Sequence, residues 1–170
     1  NNPSRTSVRT LVMLALLVAM SIVFSRVLSI STGFVRFNLG SLPVLLAALL
    51  FGPGAGFAVG AVADIIGGVL AGYAINPLIT LGAGAIGLVA GYAWQKLPDY
   101  RTGLRLSISV LLGHFVGSMV INSLALRIFY GYAWSVLLAR IPNALVLSVV
   151  NTVLLRILLE NRSLMKLAKK

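Results

Sequence analysis

Residues 37–63 read FNLGSLPVLLAALLFGPGAGFAVGAVA, 27 consecutive positions without a charged side chain. Crossing a bilayer as a helix takes about 20 apolar residues. One feature interrupts the run, Gly52-Pro53-Gly54. Proline lacks an N–H and fixes φ, and glycine takes conformations closed to other residues, so a tight turn is expected there. The stretch then divides into a short helix, about Leu39 to Phe51, and a longer one, about Ala55 to Ala71. This is a helical hairpin in lipid, with a first arm that reaches only part of the way across.

The rest of the chain repeats the pattern. Of 170 residues, 59% are hydrophobic and 10% charged, with a mean hydropathy of +1.01. A soluble domain carries about 25% charged residues. That shortfall excludes a water-soluble globule, a disordered chain and a coiled coil. Sixteen uncharged residues separate Arg9 from Arg26, giving a first helix from about Val8 to Val27. Pro77 opens a fourth helix that ends before Lys96. A fifth fills the 21 uncharged residues from Leu106 to Leu126. Pro142 sits near the start of a sixth, which ends near Glu160. The expected fold is all-α: a compact bundle of six transmembrane helices, one domain over residues 1–170. Arg5 and Arg9 precede the first apolar run, but no Ala-x-Ala cleavage site ends it, so a membrane helix is expected there. There is no cysteine, which excludes disulfides and thiolate metal sites.

Lys and Arg total 14 and Asp and Glu total 3, a net charge of +11. In a soluble protein this would suggest nucleic acid. In a membrane protein it reflects the gathering of Lys and Arg in cytoplasmic loops, so no nucleic-acid partner is expected. Arg5, Arg9, Lys96, Arg101, Arg105, Arg156, Arg162, Lys166, Lys169 and Lys170 fall on one side. Arg26, Arg36, Arg127 and Arg140 fall on the other. The side with more charges should be cytoplasmic and should hold both termini. The outer loops are then residues 28–38, 72–76 and 128–141. No internal repeat is visible, so an inverted-repeat carrier is not supported.

Several residues could carry chemistry. Gly56, Gly60, Gly68 and Gly72 recur at four-residue spacing, with Asp64 in the same series; Ala83, Gly87, Gly91, Gly113 and Gly117 follow suit. Small residues so spaced let helices pack closely in lipid. No phosphate-binding loop is present. Asp64 falls near mid-membrane on this reading and is either functional or a hydrogen-bonded tie between helices. His114 and Ser118 lie one turn apart; a structural, hydrogen-bonded His stands beside a weak serine-hydrolase reading. The outer arginines, Arg26, Arg36, Arg127 and Arg140, offer planar forks that match carboxylates. Phe34, Phe37, Tyr73, Phe129, Tyr130, Tyr132 and Trp134 offer flat apolar faces. Asn38, Asn76 and Asn143 offer donors and acceptors, and Asn122 and Asn151 lie deeper. Together they suit a flat heteroaromatic ligand with an acidic tail, although interfacial aromatics and snorkelling arginines would look similar.

The basic N-terminus, an Ala15-x-x-x-Ala19 pair in the first helix, six short spans and no ATPase motif resemble an S component of energy-coupling-factor (ECF) vitamin transporters. Residues 34–43, FVRFNLGSLP, resemble that family's loop into its second helix. Gly52-Pro53-Gly54-Ala55-Gly56, with Gly60 and Asp64, resembles its next turn. With Arg26 the pattern is most similar to the folate-specific member. The resemblance implies a bacterial cell-membrane subunit that binds a vitamin on its outer side. It implies partners in a transmembrane T component and two cytoplasmic ATPases, and no enzymatic residues or cofactor. It implies a site among the last three helices and the outer loops, with the first loop as gate. It implies T-component contact through Ala15 and Ala19, and toppling of the subunit in the membrane to deliver its cargo. Folate, with its flat pterin and two carboxylates, suits the arginines, aromatics and asparagines. Another vitamin (riboflavin, pantothenate or thiamine) remains open, as does an autonomous carrier coupled through Asp64 and His114.

Overall fold

A computed structural model describes residues 8–31, 36–98 and 102–161. The basic terminal segments, Phe34 and Asp99 lie outside these. Helix α1 (Val8–Arg26) leads into a small antiparallel hairpin, β1 (Ser29–Ser31) and β2 (Arg36–Asn38), with Ile30 opposite Phe37. The Asn38 side chain accepts from Gly40 N–H at 3.0 Å, turning the chain into α2 (Ser41–Phe51). Its 11 residues span about 17 Å. Gly52, at φ 97°, makes the turn that only glycine takes easily, and Pro53 opens α3 (Pro53–Leu70). Asn76 caps α4 (Pro77–Lys96), accepting from Leu78 N–H at 3.0 Å and Ile79 N–H at 3.4 Å.

The fifth expected helix is longer than its charge-free core. Helix α5 (Thr102–Gly113) runs into a π-helical segment (His114–Ile121) and then α6 (Asn122–Tyr130), 29 residues in all. Both flanking arginines belong to the rod. Arg105 folds back onto the Trp94 carbonyl and ring, and Arg127 donates to the Tyr132 carbonyl at 3.0 Å. A long side chain can thus carry its charge away from a helix end, so a gap between charges understates the span. A short α7 (Trp134–Leu138) precedes α8 (Arg140–Glu160), whose first turn holds Pro142. Among the described residues, five helical stretches are long and apolar enough to cross a membrane, and α2 is a shorter apolar sixth.

Helices α3 and α4 pack antiparallel through glycine. A Cβ added at Gly56 would lie 2.5 Å from Ala48 Cβ and 3.0 Å from Gly87 Cα; one at Gly60 would lie 2.4 Å from the Ala83 carbonyl oxygen. Gly113 and Gly117 do the same against α4, at 2.6 Å from the carbonyl oxygens of Ile86 and Gly82. The rest of the expected series does not join the seam: Gly68 faces open space and Gly72 lies in the turn beyond α3. Leu42, Leu45, Ile86, Ala90, Leu106, Val110 and Leu155 form the larger core, and Leu17, Val44, Ala47 and Val59 a second. Around this interior the surface is apolar, as lipid requires: Leu16, Val69, Val149 and Ile157 all stand exposed.

Candidate functional site

At the end of the bundle where α1, the hairpin, the α3–α4 turn and the α6–α8 connection meet, the helices part around a cavity of about 640 Å³. Val44 and Ile86 belong to both its wall and the two cores, and so mark its floor. Tyr73, Tyr130 and Tyr132 line it while remaining exposed, which marks the rim.

Two guanidinium groups enter it. Arg26, from the last turn of α1, reaches across to α3. Its Nε and Nη2 lie 3.4 Å from where a Cβ on Gly67 would stand, and its Cζ is 5.3 Å from the Tyr73 ring centroid. Arg140 enters from the first turn of α8. Among the described residues, Arg26 Nε and Arg140 Nη1 are buried without a hydrogen-bond partner, as is Asn122 Oδ1. Burying a cationic donor without an acceptor costs several kcal/mol or more. Donors left bare in a cavity point to an acceptor that a ligand supplies.

Asp64 also lines the cavity, and its Oδ2 accepts from Thr80 Oγ1 at 2.7 Å. It lies just past the middle of α3 (Pro53–Leu70) toward the cavity end, and its partner Thr80 lies in the first turn of α4. At the floor, Asn151 is fully buried; its Nδ2 lies 2.9 Å from Ser41 Oγ and 3.0 Å from His114 Nε2. His114 is thus bonded to Asn151 and not to Ser118, so no nucleophile–base pair forms.

The structure brings Arg26, Asn38, Tyr73, Asn122, Arg140 and Asn143 to the cavity wall, together with Asp64 and His114. Four others stand outside it. Asn76 caps α4. Arg127 and Trp134 contact each other at the surface, 5.7 Å from Cζ to ring centroid. Asn151 lies behind the floor. Arg36 belongs to β2, and its side chain lies outside the described residues. Ala15 and Ala19 are exposed on α1, away from the cavity. Sequence reasoning missed Ser21, Ser25 and Ser41, which also line the wall. Ser21 and Ser25, one turn apart in an apolar helix that ends on Arg26, were the available signal. The wall also draws on α1 and α3, beyond the last three helices and the outer loops.

Residues 5–164 match the family described as ECF-type riboflavin transporter, S component. The chain belongs to that S-component family. It is a multi-pass membrane subunit of a transporter and not an enzyme. It is 30% identical over 133 residues to the folate transporter FolT of Clostridium novyi (strain NT), covering 76% of this chain and 75% of that protein. A crystal structure of FolT bound with folic acid superposes with a TM-score of 0.71 at 25% identity, covering 86% of this chain and 90% of that one. The S component of a bacterial ECF transporter superposes at 0.72 with 19% identity, covering 97% and 100%, and shares the fold.

Proposed function

We propose that this S component binds folate and delivers it to an ECF module made of a transmembrane T component and two cytoplasmic ATPases. The observation that carries the choice of ligand is the pair of buried guanidinium nitrogens, Arg26 Nε and Arg140 Nη1, left bare in one cavity. Folate has two glutamate carboxylates to give them. Riboflavin, the vitamin in the family description, is neutral and would leave both cations unpaired. The similarity to a folate transporter supports the same choice. In this reading Arg26 and Arg140 hold the carboxylates. Tyr73, Tyr130 and Tyr132 flank the aryl bridge. Asn38, Asn122 and Asn143 meet the pterin edge. Asn76, Arg127 and Trp134 brace the rim from outside.

The whole chain forms one domain of six crossings, with α2 as a short one and both termini cytoplasmic. The cavity then opens outward, on the side with four of the 14 basic residues. Ala15 and Ala19 face the T component. Calorimetric titration of the purified protein without ATP tests the ligand. Saturable heat with folic acid, and none with riboflavin, thiamine or pantothenate, is expected; heat with riboflavin alone would replace folate as the substrate.

A further inference from the structure

The polar relay at the cavity floor has a direction. An amide nitrogen has only hydrogens to give. Asn151 Nδ2 therefore donates one to Ser41 Oγ, at 2.9 Å, and the other to His114 Nε2, at 3.0 Å. Both consequences reach the cavity, because Ser41 and His114 line it while Asn151 does not. His114 Nε2, receiving a hydrogen, cannot carry one, so the ring proton sits on Nδ1. Ser41 Oγ, already accepting, has its own hydrogen left to give. The Asn151 Oδ1 stays buried without a partner among the described residues, so Asn151 meets the floor through its nitrogen alone. His114 also opens the π-helical segment, a local widening of the helix that is often found where a side chain must be re-aimed.

We propose that Asn151 is a positioning residue that makes the cavity floor a pair of hydrogen-bond donors, His114 Nδ1–H and Ser41 O–H, for a ligand ring edge that carries two adjacent acceptors. On the folate reading, on which this rests, that edge is the O4 and N5 side of the pterin. The glutamate then points toward Arg26 and Arg140, and the two ends of the ligand are read by different chemistry: acceptors on the ring by neutral donors, carboxylates by cations.

His114 is the single histidine in the sequence, so its ring can be observed without ambiguity. In protein labelled with 15N-histidine, the two ring resonances report the tautomer directly. The empty parent should show the Nδ1–H form, and folic acid should move the Nδ1 signal while the proton stays there. Asn151→Leu should shift the ring toward the Nε2–H form and weaken folic acid about tenfold or more, the loss expected for one or two neutral hydrogen bonds. Ser41→Ala should weaken folic acid by a similar factor and leave the tautomer unchanged, which keeps the test usable if Asn151→Leu does not fold. An Nε2–H parent would overturn the proposal. So would an Asn151→Leu protein that binds more weakly with its tautomer unchanged, or an Nδ1 signal that no ligand moves. A parent that binds riboflavin and not folic acid would end the folate reading alone. The floor proposal would then survive through a riboflavin-induced Nδ1 shift, since the flavin presents the same O4–N5 edge.

Discussion

The two halves of the bundle are made from the same helices and finished to different standards. Around Leu45, Leu106, Val110 and Leu155 the helices close completely, with these side chains at most 1% exposed. Glycines extend that closure by letting α3, α4 and the π-helical segment approach to backbone contact. One cavity's depth away, Arg26, Asn122 and Arg140 keep buried polar atoms bare. A core so complete at one end lets the other remain unfinished without unfolding. Stability and ligand affinity should therefore separate when the two halves are altered in turn.

The largest effect is expected at the seam. In Gly87→Val, the new Cβ would lie 2.5–2.7 Å from the Gly56 backbone, which no rotamer relieves. Folded yield in detergent should fall to background by size-exclusion chromatography. Next comes Leu45→Ala, a cavity in the closed half, expected to cost about 2–5 kcal/mol. The thermal midpoint should drop while folate affinity at low temperature changes little. The open half should behave the other way. Arg140→Ala should weaken folic acid about 10- to 100-fold by calorimetry, in line with the loss of a charge-assisted hydrogen bond. It should not lower the thermal midpoint of the empty protein, because it removes a buried guanidinium nitrogen that has no acceptor. Arg140→Lys should restore only part of the affinity, since the ammonium lacks the fork.

Smaller effects lie on the surface. Ala15→Trp should leave folding and ligand binding unchanged and block copurification with the T component, because the ring prevents close helix approach. Loss of ligand binding in that variant would mean that the Ala15 face supports the part of α1, Ser21 to Arg26, that lines the cavity. The smallest effect belongs to Arg156, whose exposed pair with Glu160 at 3.0 Å joins residues four apart on one helix. Arg156→Ala should shift stability by no more than about 0.5 kcal/mol, measured by chemical unfolding.

Much of the closed half was legible in the sequence, because charge gaps, Gly52-Pro53-Gly54 and Pro77 mark the spans and turns by simple physics. The open half was less so. Asn76 before Pro77 carries the signature of a helix cap as clearly as that of a ligand contact, and its side chain is spent on the cap. Asn151 reads as a deep amide without revealing that Ser41, 110 positions earlier, would claim one of its hydrogens. The strand pair Ser29–Ser31 and Arg36–Asn38 has no alternating pattern long enough to announce it, and HFVGSMVI at 114–121 gives no hint of a π-helical turn. Such features depend on which helices come together, and a single sequence does not state that.

On the folate reading, the glutamate of the ligand completes Arg26 and Arg140. Pteroic acid keeps the pterin and aryl bridge, lacks that glutamate and ends in a single benzoate where folic acid has the amide. The decisive measurement is the affinity of folic acid relative to pteroic acid, by calorimetry, in the parent, in Arg26→Ala and in Arg140→Ala. Folic acid should be clearly preferred in the parent, and that preference should shrink in each variant, with pteroic acid bound almost equally by all three. Equal weakening of both ligands, or an unchanged preference in both variants, would contradict that reading.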